Sequence, residues 1–299
     1  MKYLGKYIDR AAIGKIGGLS IDPKSLVEGT QAGAHKSPFH GFSVEFASHR
    51  EYIPGDDTKH LDWVVYYKRD RYMIKQYEAE TNLVCQLFLD ASESMTYGSH
   101  GITKLDYASY LAVALSYCIT RVRDSVGMGV FADKVIDYLP PTNTLAATYQ
   151  LSHILEQVDS TRLTDLDLPM KDFAERIGRR QIVILISDFL TDLDTVSKAL
   201  ARLRYDKHEI VCFQVMDPLE LSFEFEGRVK FIGLEQMPTL KLTPRSLRKA
   251  YLERVRAHNI RLREICERNN AECVLCDTSH SVQETLFGYL TSRLSHAVR

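Results

Sequence analysis

From Asn82 onward, short apolar runs rich in β-branched residues alternate with stretches of helical periodicity, and no other feature constrains the fold as strongly. Strands are expected at residues 84–90, 127–132, 135–140, 181–187, 208–217 and 271–279. Helices are expected over 104–124, 145–158, 168–178 and 194–206, from Pro244 onward, and over 281–297. In the first helix Leu105, Ala108, Leu111, Ala112, Leu115 and Ile119 recur at helical spacing. The run Gln181–Ser187 is apolar on both faces, as a strand inside a helix-covered parallel sheet must be. The order therefore predicts an α/β fold with a mostly parallel central sheet and helices on both sides. Ligand sites in such sheets lie at the carboxyl ends of strands, near the point where strand order reverses.

Residues 222–236 alternate apolar and polar side chains around Glu226-Gly227 and read as a hairpin attached to the sheet. The first 81 residues differ in texture: a Gly, His and Ser-rich stretch at 29–41 precedes a dense mixture of aromatic and charged residues at 45–80. The expected division is a small β-rich region, 1–81, docked on a main domain, 82–299.

With 45% hydrophobic and 26% charged residues the chain is globular, and a net charge of -1 gives no basic excess for a nucleic-acid partner. No apolar run approaches the roughly 18 residues of a membrane span, and the start lacks a signal-peptide core, so a cytosolic protein is the expectation. Six cysteines scattered through apolar segments read as reduced thiols. Cys273 and Cys276 form a CxxC pair, but residues three apart on a strand point to opposite faces and do not converge on one ion. His35, His40, His49 and His60 match no zinc-ligand spacing and read as surface and packing residues. The basic helix from Pro244 reads as a solvated face, with Tyr251, Leu252, Val255, Ile260 and Leu262 available for packing. A phosphate-cradling loop, a GxSxG elbow and a nucleophile with its base are all missing, so no catalytic residue is assigned.

The chemistry concentrates at Asp90-Ala91-Ser92-Glu93-Ser94, directly after an apolar strand. One carboxylate and two hydroxyls suit a hard cation such as Mg²⁺, and the alternative reading of a serine there is a cap on the next helix. A second strand ends in Ser187-Asp188, and Thr164-Asp165-Leu166 stands in a polar loop. Neighbouring parallel strands are about 4.8 Å apart, so Asp90, Ser92, Ser94, Thr164 and Asp188 form a candidate cluster. An Asp pair can also support metal-assisted hydrolysis, which makes a metal-dependent hydrolase the alternative.

These pieces resemble the metal-ion-dependent adhesion site (MIDAS) of von Willebrand factor A domains. The resemblance implies hydroxyl ligands from Ser92, Ser94 and Thr164, with Thr161 the alternative threonine, and Asp90 and Asp188 acting directly or through water. The implied ion is Mg²⁺, or Mn²⁺ or Ca²⁺ in its place. The upstream run, with Arg50, Tyr52, Pro54-Gly55-Asp56-Asp57 and Leu61-Asp62-Trp63, is similar to the signature that precedes such a domain in the domain of unknown function 58 (DUF58) family. Read from the residues, Pro54 to Asp57 is a turn, and Arg50 is placed to pair with Asp57 or Asp62. The family resemblance implies a non-enzymatic adaptor that binds a partner's carboxylate and works with a MoxR-type AAA+ ATPase.

Overall fold

The computed structural model describes residues 5–8, 44–53, 56, 58–79, 83–158, 166–225, 229–231, 240–242 and 244–297. The chain divides into two compact units, Gly33–Asn82 and the remainder, Met1–Ala32 with Leu83–Arg299. Residues 5–8 lie on the larger unit: Lys6 and Tyr7 both donate to the Asp106 carboxylate, at 2.7 and 2.9 Å. The opening residues therefore do not join residues 44–79 as a division at Thr81–Asn82 assumes.

In the smaller unit, strand β1 (Val44–Glu51) pairs antiparallel with β2 (Met73–Ala79). Between them Trp63–Arg69 forms helix α1, although its Trp, Val and Tyr residues favour strands. The Asp62 carboxylate decides this locally, accepting the backbone N–H groups of Val64 and Val65 as an N-cap. The β-rich expectation thus holds for the hairpin and fails for α1.

The larger unit begins with β3 (Val84–Asp90), followed by helix α2 (Lys104–Arg121), β4 (Ser125–Phe131) and β5 (Val135–Thr142). Helices α3 (Leu145–Glu156) and α4 (Asp167–Arg176) lead to β6 (Ile182–Ser187), helix α5 (Leu193–Tyr205) and β7 (Glu209–Met216). After helix α6 (Pro218–Ser222) come the short strands β8 (Val229–Phe231) and β9 (Leu240–Leu242), then helix α7 (Pro244–Arg268), β10 (Ala271–Asp277) and helix α8 (Val282–Ala297). The six-stranded sheet has the order β10-β7-β6-β3-β4-β5, parallel except for the antiparallel edge strand β5. Numbered within this sheet alone, the order is 6-5-4-1-2-3, the doubly wound arrangement of a von Willebrand A-like domain. Strand order reverses between β3 and β6, which makes their carboxyl ends the expected ligand position.

Helix α2 packs with α3 and α8, and α5 packs with α4 and α7, so both faces of the sheet are covered. On the α5 side, Phe88, Val183, Leu185 and Cys212 from the strands meet Met170, Phe173, Leu200 and Leu262 in one buried core. Phe173 stacks on Phe88 with ring centroids 4.0 Å apart, directly over Gly129 of β4. A Cβ at Gly129 would strike the Phe173 ring, so Gly129→Ala is expected to cost about 1–3 kcal/mol by overpacking. Urea unfolding checks this; an unchanged midpoint would show that the ring stack yields freely.

Other expectations fare differently. The hairpin predicted over 222–236 is displaced: β8 pairs with β9 in a separate two-stranded sheet, and residues 223–225 are not strand. A capping box at Asp217 and Glu220 starts α6, which takes Ser222, and Phe223 ends it in a left-handed conformation. Helix α7 buries Leu262, Ile265 and Cys266, whereas Ile260 is exposed rather than packed. All six cysteines are free thiols. Cys273 lies in register beside Cys212 and is joined by Cys266, while Cys276 lies toward Tyr107 on α2, so the CxxC pair does divide between two environments.

Candidate functional site

The apolar run Leu87-Phe88-Leu89 drives β3 into the centre of the sheet, and the chain emerges at Asp90 where hydrogen bonding to β6 ends. Asp90 is fully buried. One of its oxygens accepts the Ser92 N–H at 2.9 Å and the other accepts the Ser187 hydroxyl at 2.6 Å. Ser92 opens a short 3₁₀ turn, Glu93–Thr96, without a side-chain capping bond. Its hydroxyl instead lies 3.0 Å from that of Ser94, so the helix-cap alternative for Ser92 does not describe what its hydroxyl does.

Asp188 follows β6 and is also buried. Its Oδ1 accepts the Leu190 N–H at 3.0 Å, and its Oδ2 accepts from Lys104 Nζ at 2.7 Å. Lys104 is the first residue of α2 and donates a second bond, 2.8 Å long, to Glu220 on α6. The other oxygen of Glu220 takes the Asp217 N–H, and Asp217 in turn accepts the N–H and hydroxyl of Ser99. Sequence reasoning gave Ser187, Lys104 and Glu220 no role in the site. Ser187 adjoined a named residue, but the other two carry no local motif.

Charge is unevenly matched across this cluster. Burial pulls the Lys104 pKa down, but the charges of Asp188 and Glu220 and its bonds to both outweigh that, leaving it above its ordinary value. Burial raises the Glu220 carboxyl against the opposing effect of Lys104. Among the described residues Asp90 receives only neutral donors, and burial together with the Asp188 charge pushes it up to about 7. A buried carboxylate in that condition lacks a counter-charge.

A divalent cation fits this deficit. Ser92 and Ser94 offer paired hydroxyl oxygens, Asp90 offers an uncompensated carboxylate, and all are hard donors of the kind Mg²⁺ prefers. Among the described residues no three or more His, Cys, Asp and Glu side chains are arranged to hold a metal, so the candidate rests on hydroxyls and on carboxylates supplied singly. Thr164 and its alternative Thr161 lie outside the described residues.

The family-signature residues belong to the smaller unit. Arg50 pairs with Asp56 at 2.8 Å rather than with Asp62, one of its two expected partners. Asp56 also accepts the Ile53 N–H, which closes the turn on the arginine, and the Arg50 bond and that N–H hold its carboxyl below the usual range. Asp62 is taken by His49 at 2.8 Å and by its capping role; with the His49 bond leading, its pKa falls to about 2. Tyr52 donates its N–H to the Tyr72 carbonyl, and Trp63 is exposed. Pro54, Gly55 and Asp57 lie outside the described residues.

The chain is 23% identical over 216 residues to an uncharacterized protein of Mycobacterium tuberculosis strain H37Rv, covering 71% of this chain and 67% of that one. Among solved structures it resembles an aerotolerance-related membrane protein from Bacteroides fragilis, at 18% identity and TM-score 0.50 over 70% of this chain and 99% of that one. It also aligns with the von Willebrand factor domain of the type V pili tip protein Mfa5 from Porphyromonas gingivalis, at 10% identity and TM-score 0.35 over 71% and 95% of the two chains. The first structural likeness overturns the cytosolic expectation. Among the described residues no helix is long and apolar enough to cross a membrane, yet the fold occurs in a membrane protein, so lack of a span does not place a chain in the cytosol. Residues 48–261 match the family described as "Protein of unknown function DUF58". A signature-bearing small unit followed by a von Willebrand A-like sheet is thus the architecture of a member of the DUF58 family, to which this chain belongs.

Proposed function

We propose that this chain is a non-enzymatic protein-interaction module whose cluster at the ends of β3 and β6 holds a divalent cation, Mg²⁺ first, and through it a carboxylate of a partner protein. The observation that carries this reading is Asp90: a fully buried carboxylate that has no cationic partner among the described residues, beside two adjacent serine hydroxyls at the sheet's switch point. Ser92 and Ser94 would hold the ion, with Asp90 and Asp188 around them. A cation held mainly by neutral oxygens keeps residual positive charge, which an incoming carboxylate satisfies. The partner to test first is the one the family resemblance implies, a MoxR-type AAA+ ATPase.

Metal-dependent hydrolysis needs a base near the ion. Lys104 holds its proton and spends two donors on Asp188 and Glu220, and both Glu220 oxygens are engaged, which favours binding over proton transfer. Capture of a MoxR-type ATPase by the immobilised full chain is expected in Mg²⁺, with a loss of at least tenfold in EDTA or with Asp90→Ala. Equal capture under all three conditions would reject the ion bridge.

A further inference from the structure

We infer that Lys104 sets how strongly this site takes a divalent cation, acting as an internal counter-cation that holds Asp188 away from the ion; the inference rests on the cation-site reading above. Lys104 is only 1% exposed at its side chain, as is Asp188, so solvent does little to screen the pair. Nor is the ammonium free to swing aside. Thr103 caps the helix that Lys104 opens, Asp188 and Glu220 grip Nζ at 2.7 and 2.8 Å, and Glu220 is anchored by the Asp217 N–H.

The two aspartates are consequently unequal. Asp188 already has its cation, with both oxygens engaged by Lys104 and Leu190, whereas among the described residues Asp90 has only neutral donors. An entering divalent ion meets one available carboxylate and a fixed positive charge behind the other. To recruit Asp188 it must share or break the Lys104 bond. That arrangement keeps the metal-free cluster folded and weakens its hold on the ion, which leaves the bound cation electron-poor and open to an external carboxylate. It also ties Asp188 through Lys104 to Glu220 on α6, so full engagement of Asp188 by an ion disturbs the segment after β7.

The test is Mn²⁺ titration of the full chain by calorimetry. Lys104→Gln removes the charge and keeps donors for Asp188 and Glu220, and is expected to bind Mn²⁺ at least about tenfold more tightly than wild type. Lys104→Arg, which keeps the charge, is expected to stay within about threefold of wild type, and Asp90→Asn to lose binding. Wild-type binding that depends on Asp90 but does not strengthen in Lys104→Gln overturns the role of Lys104 and leaves the cation site standing. No binding by wild type or by Lys104→Gln overturns both. Should Lys104→Gln not fold, the double variant Lys104→Gln, Glu220→Gln is compared with Glu220→Gln alone; tighter binding in the double variant supports the inference and equal or weaker binding overturns it.

Discussion

Lys104→Ala is expected to lower the unfolding free energy by about 3–5 kcal/mol at neutral pH, among the largest effects of any single truncation in this chain. The substitution removes the bonding cation from Asp188 and Glu220 together, and leaves the buried Asp188 carboxylate beside the half-buried one of Glu220. Breaking a buried pair from one side is far more damaging than its net contribution suggests, because the remaining charge keeps its desolvation penalty. An exposed pair provides the contrast: Lys171 bonds Asp167 one helical turn away, and Lys171→Ala should cost no more than about 0.5 kcal/mol. Urea unfolding of both variants under identical conditions measures the difference. Comparable losses in the two would mean that the Lys104 cluster is not a coupled buried network.

The second large effect concerns pH. In chelator, Asp90 is protonated in the folded protein up to about pH 7, whereas in the unfolded chain it ionises near its ordinary value of 3.8. Between those two values the native state holds a proton that the unfolded state has released, so native stability falls as pH rises through the window and is level above it. Asp90→Asn keeps the size of the side chain and cannot ionise. The variant should therefore match wild type at pH 4 and exceed it above pH 7 by on the order of 2–4 kcal/mol. Saturating Mg²⁺ should narrow or reverse that gap, since only wild type can use its charge to bind the ion. Denaturation midpoints at pH 4.5, 6 and 7.5, with and without Mg²⁺, decide the matter. Parallel wild-type and variant curves in chelator would mean that Asp90 is ionised and compensated by a group other than those described.

The strands that matter most were legible because their environment demands a particular composition. A strand buried on both faces must be continuously apolar, and Val84–Leu89, Ile182–Ile186 and Ile210–Met216 are nearly so. Asp90 and Asp188 stood out as charged residues at the ends of such runs, and Ser92 and Ser94 as hydroxyls at fixed local spacing. Helix α1 was hidden, since its residues favour strands and only the Asp62 side chain turned inward on Val64 and Val65 starts the helix. The hairpin was placed too early because alternation around Glu226-Gly227 looks the same whether or not residues 223–225 have just left a helix.

Local spacing and apolar pattern were thus enough, from the amino-acid order alone, to determine an α/β sheet and to single out the part of the candidate site that lies within five residues of Asp90. Which charges meet there was decided only by the tertiary structure. Lys104 stands 84 positions from Asp188 and 116 from Glu220, and in the sequence it is one basic residue opening one helix. Packing α2 on the sheet beside the point where strand order reverses carries its ammonium out of water and onto both carboxylates. Burial makes that contact strong, and burial is a property of the assembled fold that no local stretch of the chain records.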